Sequence, residues 1–379
     1  MIAAEVAIVG AGPAGATAAL NLAPYRSVAL IDRRAAPQWR IGESLPGAAR
    51  RLLSDMDLWD DFCRDGHRPC HAFRSLWGGG GIATRETMRD PDGPAWQIDR
   101  ARFEARLRAV AAARGARLLM PARPIAVVAD GRGWRLSLDH DGAAETLTCR
   151  LLIDAGGRGS RLLSEFGAVW QARDRLVCAF TRYDAALLPP GIVHIEAEPD
   201  GWWYATGLAD GATVIAFHTD ADLPAARAGR SVMALAERVS TRPMLGALLR
   251  GRAATVGAAG FCAAHSGRLG DIAGPNWLAV GDAAMAFDPL AAQGIYNALY
   301  TGLAGAEAAH RALSGDAAAL GAYAAEMKPV AAVYDAHLAA WYGTERRFAD
   351  RAFWRRRLGA ASTELTDRPR RDAGVATPG

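Results

Sequence analysis

The chain has 379 residues, of which 51% are hydrophobic and 22% are charged. This composition is typical of a globular protein of one or two domains and excludes a collagen, a coiled coil and a disordered chain. A net charge of +4, from 44 basic and 40 acidic side chains, argues against nucleic-acid binding, and no apolar run is long enough to predict a membrane span.

Two residue types are used in an unusual way. The basic residues are 43 arginines and a single lysine, Lys328. The five cysteines are scattered and form no CxxC pair, so we expect neither a disulfide framework nor a metal site. Free thiols and the lack of a basic, apolar leader favour a cytoplasmic protein. The cysteines are Cys63, Cys70, Cys149, Cys178 and Cys262.

The N-terminal segment predicts a strand, a glycine-rich turn and a helix. Gly10, Gly12 and Gly15 have the G-x-G-x-x-G spacing, with Pro13 and Ala14 between the last two glycines. Such glycines allow a tight turn and a close approach of the backbone to a pyrophosphate at the helix N-terminus. The next strand ends at Asp32, followed by Arg33, where a carboxylate can bind ribose hydroxyls. The conjunction predicts a dinucleotide site.

The segment after this strand, RIGESLPGAARRLL, predicts a helix that begins at Ser44 or Pro46 and runs towards Trp59. The glycines at 78–81 lead to no acidic strand end, so the sequence contains no second dinucleotide fingerprint. A separate Rossmann domain for NAD(P)H is therefore not expected.

Two later strands also end in acidic residues. The first, Leu151 to Ile153, is followed by Asp154 and a glycine-rich loop, and the second, Trp277 to Val280, is followed by Asp282. The carboxyl ends of parallel strands meet at one edge of a sheet, so these loops are expected to converge on the dinucleotide. The residues concerned are Asp154, Ala155, Gly156, Gly281, Asp282, Pro289, Gln293, Gly294 and Ile295, the last four opening a helix.

Residues 176–219 predict an antiparallel meander, because alternating strands are separated by Pro-Gly and Asp-Gly turns. Aromatic and polar side chains on these strands are candidates for a substrate pocket, although the register that decides their faces is not fixed by the sequence. The weakly supported candidates are Trp203, Tyr204 and His218, with Trp202, His194 and Glu196 beside them. Residues 331–358 predict a helix with an apolar stripe and an arginine-rich face, and the tail after it predicts disorder.

The chain resembles the flavoprotein monooxygenase and flavin-dependent halogenase superfamily. The matching pieces are GAGPAG with Asp32, the triplet Gly42-Glu43-Ser44, QIDRARFEARL with Arg100, DAGGRGS, and GDAA with DPLAAQGI. The resemblance implies FAD as the cofactor. It also implies that Gly10, Gly12, Gly15, Asp32, Arg100, Asp154, Asp282 and Gly294 hold FAD, and that Arg40, Glu43 and Ser44 lie close to it.

The fold implied by this resemblance is α/β: a Rossmann-like FAD-binding domain interrupted by an antiparallel-sheet substrate domain, with C-terminal helices. We expect residues 1–66, 99–170 and 271–325 to form the FAD domain and residues 67–98 and 171–270 the substrate domain. Residues 326–360 would form the C-terminal helical segment, and residues 361–379 a disordered tail.

The resemblance implies an FAD-dependent monooxygenase that hydroxylates an aromatic or indole group through a flavin C4a-hydroperoxide. The strings RSLWGG, GWWYATGL and FWRRR are similar to those of flavoprotein maturases that oxygenate a peptidyl tryptophan in the biogenesis of cysteine tryptophylquinone enzymes. The substrate would then be a tryptophan of a partner polypeptide, for which the basic C-terminal helix offers a dock. The alternatives are a small natural-product substrate, or an FAD oxidoreductase that inserts no oxygen.

Halogenation is disfavoured by the lysine count. The halogenases of this superfamily place a lysine between flavin and substrate, whereas residues 67–80 contain no lysine and offer Arg68, His71 and Arg74. Arginine keeps its proton and cannot replace a neutral amine. No catalytic side chain is assigned. The electrons are expected from NAD(P)H docking transiently or from a separate flavin reductase, with O2 as co-substrate.

Overall fold

The computed structural model describes residues 1–88, 90–131 and 133–366. The strands in chain order are β1 (Ile2–Ala3), β2 (Val6–Val9), β3 (Val28–Ile31), β4 (Ser44–Leu45), β5 (Arg68–Cys70), β6 (Ala72–Leu76), β7 (Ile82–Glu86), β8 (Ala95–Gln97), β9 (Arg117–Leu119), β10 (Ala122–Asp130), β11 (Gly133–His140), β12 (Ala143–Cys149), β13 (Leu151–Asp154), β14 (Trp170–Ala172), β15 (Leu176–Tyr183), β16 (Ile192–Glu198), β17 (Gly201–Gly207), β18 (Thr213–Asp220), β19 (Val256–Ala263), β20 (Gly267–Leu269), β21 (Ala273–Gly274), β22 (Trp277–Ala279) and β23 (Met285–Ala286).

The helices in chain order are α1 (Pro13–Leu22), α2 (Ala49–Asp55), α3 (Trp59–Arg64), α4 (Arg100–Ala113), α5 (Pro224–Ala228), α6 (Val232–Ser240), α7 (Leu245–Leu249), α8 (Gly294–Leu313), α9 (Ala319–Thr344) and α10 (Ala352–Thr366). Helix α2 begins later than the sequence predicts, because Ser44 and Leu45 pair with strand β8 instead of entering a helix. No helix in the described ranges is long and apolar enough to cross a lipid bilayer.

A six-stranded sheet carries the predicted dinucleotide-binding elements. Its order is β21-β22-β13-β2-β3-β9, and every pairing except that of β21 is parallel. Strands β2, β3 and β13 are almost wholly apolar because helices and neighbouring strands cover both faces of the sheet. The carboxyl ends of these strands place Gly10, Asp32 and Asp154 at one edge, which confirms the predicted α/β architecture.

A seven-stranded sheet of order β19-β15-β18-β17-β16-β6-β7 faces that edge. The predicted meander is correct for β16 to β18, but β15 pairs with β18 and β19 and not with its neighbour in sequence, β16. Strand β6 adds to β16 in parallel, so the sheet is not wholly antiparallel. Helices α6 and α7 pack on one face of this sheet, and the other face is turned towards the dinucleotide loops.

The C-terminal region is two helices and not the continuous helix that the sequence predicts for residues 331–358. Helix α9 ends at Thr344 because Glu345 turns inward and its carboxylate accepts hydrogen bonds from the Gly78 and Arg347 amides. Helix α10 then continues to Thr366, six residues into the predicted disordered tail. The rest of that tail lies outside the described residues.

Three smaller features complete the fold. Strands β10 to β12 form an antiparallel sheet to which β1 adds in parallel, and two three-stranded sheets have the orders β14-β20-β23 and β4-β8-β5. The seven-stranded sheet is built from residues 72–86 and 176–263, inside the segments predicted for the substrate domain. The predicted domain boundaries themselves stay a prediction.

Candidate functional site

A cavity of about 740 Å³ lies between the carboxyl edge of the parallel sheet and the seven-stranded sheet. Most of the predicted site residues line it, although they come from segments almost 300 residues apart in the chain. Those that line it are Gly10, Gly12, Pro13, Ala14, Asp32, Arg33, Arg40, Ser44, Arg100, Ala155, Gly156, Tyr204, His218, Asp282, Pro289, Gly294 and Ile295.

Two glycines of the glycine-rich turn, Gly10 and Gly15, leave no room for a side chain. Gly10 has a φ of +105°, and a Cβ built on it would lie 2.2 Å from the Ala155 carbonyl oxygen. A Cβ on Gly15 would lie 1.8 Å from the Gly10 carbonyl oxygen. Helix α1 has no capping side chain at Gly12, so the amides of its first turn remain available to an anion in the cavity.

Asp32 is fixed at the end of β3 by its neighbours. One carboxylate oxygen accepts a hydrogen bond from the Ala11 amide at 2.8 Å, and the other accepts one from the Arg34 amide at 2.8 Å. The guanidinium of Arg108 lies 3.3 Å from the carboxylate and donates to the Ala11 carbonyl. Arg108 therefore connects the glycine-rich turn to Asp32, the residue predicted to bind the ribose. The sequence did not indicate this role.

Glu104 is a second residue that the sequence analysis missed. It is 3% exposed, and its Oε1 accepts hydrogen bonds from Arg40 at 2.6 Å and from Arg100 at 2.7 Å. The signal was present in the sequence, because Arg100, Glu104 and Arg108 follow one another at four-residue spacing on helix α4 and so share a face. This buried carboxylate fixes two predicted cofactor-binding arginines in position.

Five predicted cofactor-binding residues do not line the cavity. Asp154 is 3% exposed, and its carboxylate accepts hydrogen bonds from the Gly156 amide and the Ser160 hydroxyl. It therefore shapes the DAGGRGS loop and does not line the cavity, and its role in holding FAD stays a prediction. Gly281 packs against Ala14 at a φ of +60°. The five are Gly15, Glu43, Asp154, Gly281 and Gln293.

Glu43 lies directly behind the cavity wall. It is 2% exposed, its Oε2 accepts a hydrogen bond from the Gly42 amide at 3.0 Å, and its Oε1 has no partner among the described residues. Burial raises the pKa of Glu43 to about 7. The next residue, Ser44, is within 3.3 Å of the Tyr204 hydroxyl and joins this loop to the seven-stranded sheet.

The register of the seven-stranded sheet decides which aromatic side chains face the cavity. Trp202, Tyr204 and His218 face it, and Trp202 stacks on His218 with ring centroids 3.8 Å apart. Trp203 points to the opposite face, where it packs among residues of α6 and α7 and donates to Glu198. Trp203 therefore does not line the cavity, contrary to its prediction as a substrate residue, and its neighbour Trp202 lines the cavity. His194 and Glu196 share the face of Trp203.

Asp288 anchors a buried chain of hydrogen bonds behind the Trp202 ring. Tyr342 donates to Asp288 Oδ2 at 2.8 Å, and the Trp202 indole N–H donates to the Tyr342 hydroxyl at 3.1 Å. Burial raises the pKa of Asp288 to about 6. The chain fixes Trp202 against helix α9, and Tyr342 was given no role by the sequence.

A second, more apolar cavity of about 500 Å³ lies between helices α8 and α9. Phe287 lines both cavities and stacks on Tyr334 with centroids 3.9 Å apart. Trp341 stands at this second cavity with 56% of its surface exposed. Gln293, expected at the cofactor, lies here instead. Within the described ranges, no group of three or more His, Cys, Asp or Glu side chains could hold a metal ion.

The first cavity fits FAD. Its glycine-rich turn has no room for a Cβ at Gly10 or Gly15, an uncapped helix N-terminus opens into it, and arginines 33, 34, 40, 100 and 108 line it. The other end has an aromatic wall suited to a flat ring. Helix α8 begins at Gly294, where a Cβ would meet nothing within 4 Å, so the space beside its first turn is open to a ligand.

Comparison with known proteins identifies the family. The family model described as tryptophan halogenase matches residues 83–371. The chain belongs to the tryptophan halogenase family. Within this family the chain is an FAD-dependent oxidoreductase, as its relatives indicate.

Two relatives match over most of their length. The putative FAD-dependent oxidoreductase LodB of Marinomonas mediterranea is 28% identical over 362 residues, which are 93% of this chain and 96% of the relative. The menaquinone reductase of Mycolicibacterium smegmatis is 31% identical over 325 residues, which are 80% of this chain and 76% of the relative.

Two solved structures of other proteins have the same fold as this chain. The flavin-dependent halogenase CmlS has a TM-score of 0.84 at 22% identity, over 97% of this chain and 70% of its own. The peptidyl tryptophan dihydroxylase QhpG, described as essential for tryptophylquinone cofactor biogenesis, has a TM-score of 0.76 at 25% identity. That match covers 93% of this chain and 78% of QhpG.

Proposed function

We propose that the protein is an FAD-dependent monooxygenase that hydroxylates an indole ring, presented as a tryptophan side chain of a partner polypeptide. When bound, FAD would supply the redox chemistry: it accepts electrons and, once reduced, activates dioxygen. The residues predicted to hold it are those that line or support the first cavity.

The position of the single lysine favours hydroxylation over halogenation. Lys328 is exposed on helix α9 and does not line either cavity. The basic side chains at the first cavity are arginines and histidines, and an arginine remains protonated where a lysine can act as a neutral amine. The chain therefore lacks the lysine that the resembling halogenases place between flavin and substrate.

A tryptophan in a polypeptide is favoured by the QhpG match and by the second cavity. QhpG is described as acting on peptidyl tryptophan. Aromatic side chains line the second cavity, which shares Phe287 with the flavin cavity and is bordered by the exposed Trp341. An indole ring inserted from outside would meet stacking partners there and stop beside Phe287. The lining aromatic residues include Tyr296, Tyr300, Tyr334 and Trp341.

The chain's own residues would position the reacting groups and exclude water. Burial lowers the pKa of His218 to about 3, so its imidazole is neutral and stacks on Trp202 as part of a dry wall. Asp288 holds Tyr342, and Tyr342 holds the Trp202 indole. This wall would shield a bound flavin from water on the side of the seven-stranded sheet.

A second candidate is a reductase that inserts no oxygen. The menaquinone reductase relative, at 31% identity, favours it. Both candidates use a reduced flavin, and the single dinucleotide fingerprint leaves NAD(P)H docking transiently or a separate flavin reductase as the electron source. Anaerobic addition of NADH or NADPH to the FAD-loaded protein distinguishes the two electron sources. If NAD(P)H reduces the flavin directly, the flavin absorbance is bleached without another protein.

The test of the proposed function is product analysis with reduced protein and dioxygen. A tryptophan-containing polypeptide and free tryptophan are incubated in parallel, and intact mass is measured. We expect one or two oxygen atoms to be added to the polypeptide. Dioxygen consumption without oxygen in any product, or a reduced substrate instead, would support the second candidate.

A further inference from the structure

Two cysteines face each other in the wall of the first cavity. Cys178 on β15 and Cys262 on β19 are directly opposite in the antiparallel register of these strands. Both thiols line the cavity, so both side chains point to the same side of the sheet. Neither has a role in the proposed hydroxylation.

The strand geometry brings the two thiols within bonding range. Directly opposite residues in an antiparallel pair have Cα atoms about 4.5 to 5.5 Å apart, and disulfides span Cα separations of about 4.4 to 6.8 Å. The two thiols also interact electrostatically with each other. The pair can therefore close to a disulfide with little movement of the backbone.

The two thiols have different surroundings. Cys178 is 2% exposed, and its interaction with the Cys262 thiol, together with burial, raises its pKa well above the usual value. The Cys262 thiol is less buried, and its interaction with Cys178, together with the charge of Arg158, lowers its pKa. Since the thiolate is the nucleophile, Cys262 is the attacking sulfur and Cys178 the resolving one.

We propose that Cys178 and Cys262 form a redox-active site in the cavity wall that reduces hydroperoxides and closes to a cross-strand disulfide. The Cys262 thiolate attacks one oxygen of hydrogen peroxide, which breaks the O–O bond, forms a sulfenic acid and releases hydroxide. The Cys178 thiol then attacks the Cys262 sulfur, forming the S–S bond and releasing water. Two electrons pass from the thiol pair to the peroxide, and an external dithiol restores both thiols.

The position of Cys178 and Cys262 suits the reduction of peroxide in the first cavity. His218 is the residue opposite Cys178 on β18, and Trp202 is opposite His218 on β17, so the thiols continue the row that forms the aromatic wall. Peroxide that forms from reduced flavin and dioxygen without reaching a substrate would be released beside Cys262. The thiol pair would consume it before it oxidises the wall. This role goes beyond hydroxylation and does not require the proposed substrate.

The test uses the purified FAD-loaded protein, reduced, desalted and treated with hydrogen peroxide. The thiols are then alkylated, and the digested protein is analysed by mass spectrometry. We expect a peptide pair joined through Cys178 and Cys262, with the loss of two hydrogens, which dithiothreitol reverses. Recovery of both cysteines as alkylated thiols after treatment that oxidises the exposed Cys63 would overturn the proposal.

Single serine variants test the order of attack. In Cys178→Ser, Cys262 should accumulate as a sulfenic acid that dimedone traps, whereas in Cys262→Ser the remaining Cys178 should react at least about tenfold more slowly. Cys63→Ser is the matched control and should still form the disulfide. Equal trapping of Cys178 and Cys262 in the two variants would contradict the assignment of Cys262 as the attacking sulfur.

Discussion

The Trp202 ring lies face to face on His218, with centroids 3.8 Å apart and an angle of 6° between the planes. The two residues are opposite each other on β17 and β18, so the stacking follows from the strand register. Tyr342 holds the other edge of the indole through its hydroxyl. This pair forms the fully buried part of the wall that faces the proposed flavin ring.

Replacing Trp202 with Phe should weaken the coupling of dioxygen use to product formation. The variant loses the hydrogen bond to Tyr342 and part of the stacked surface, so the wall admits water to the flavin cavity. We expect the ratio of hydroxylated product to dioxygen consumed to fall severalfold.

Trp203→Phe is the matched control, because Trp203 is also fully buried but lies on the other face. It loses the hydrogen bond to Glu198 and should lower the free energy of unfolding by about 1 to 2 kcal/mol. Its coupling ratio should match that of the unmodified protein. An equal loss of coupling in both variants would show that the wall acts only through stability.

Gly294→Ala should weaken FAD binding while leaving the fold intact. A Cβ at Gly294 would meet no atom of the described residues within 4 Å, but it would project from the first turn of α8 where the flavin is proposed to lie. Gly321→Ala on helix α9 also meets nothing within 4 Å and does not line the cavity.

Both substitutions should raise the stability of the apo protein, by about 0.4 to 1 kcal/mol, because alanine restricts the unfolded chain. Flavin fluorescence titration should then show weaker FAD binding for the Gly294 variant alone. Unchanged affinity in that variant would place the flavin away from helix α8.

Glu43 should make the protein less stable as the pH rises. Its folded-state pKa, about 7, is above its usual value of 4.5, so between these pH values the folded protein binds a proton that the unfolded chain has lost. Stability from this group is fully present below pH 4.5 and is lost as the pH rises to about 7.

Glu43→Gln should remove this loss of folding stability with rising pH. The difference in unfolding free energy between variant and unmodified protein should grow by up to about 3 kcal/mol across this range and then stay level. Urea denaturation at a series of pH values measures it. A difference that does not change with pH would show that Glu43 is ionised in the folded protein.

Lys328→Met should leave product formation unchanged. Lys328 is exposed on helix α9, outside both cavities. Turnover and the flavin spectrum should be compared with those of the unmodified protein. Loss of product with FAD still bound would instead support a halogenase-type reaction that depends on a lysine.

The sequence was sufficient to predict the cofactor end of the site. Glycines 10, 12 and 15 have few uses other than a tight turn and a close approach, and Asp32 follows a buried strand at the expected distance. Parallel strands then bring the later loops to the same edge whatever the intervening chain does. The four-residue spacing of Arg100, Glu104 and Arg108 puts them on one face of helix α4, but their roles were missed because the spacing does not show which neighbours this face meets.

The substrate end depended on contacts that the sequence does not specify. Trp202 and Trp203 are adjacent, and a register shift of one residue would exchange their faces. The arginine-rich face of the C-terminal helix was considered as a dock for a partner, but Arg356 and Arg357 form ion pairs with Asp220 within the chain. Such long-range pairs decide whether a charge faces a partner or another part of the same molecule.

The most direct test of the proposed hydroxylation is mass analysis of a tryptophan-containing polypeptide after reaction with reduced protein, isotopically labelled dioxygen and added halide. We expect label from dioxygen, and no halogen, on a tryptophan side chain. Halogen on the indole ring, or label absent from every product while dioxygen is consumed, would contradict it.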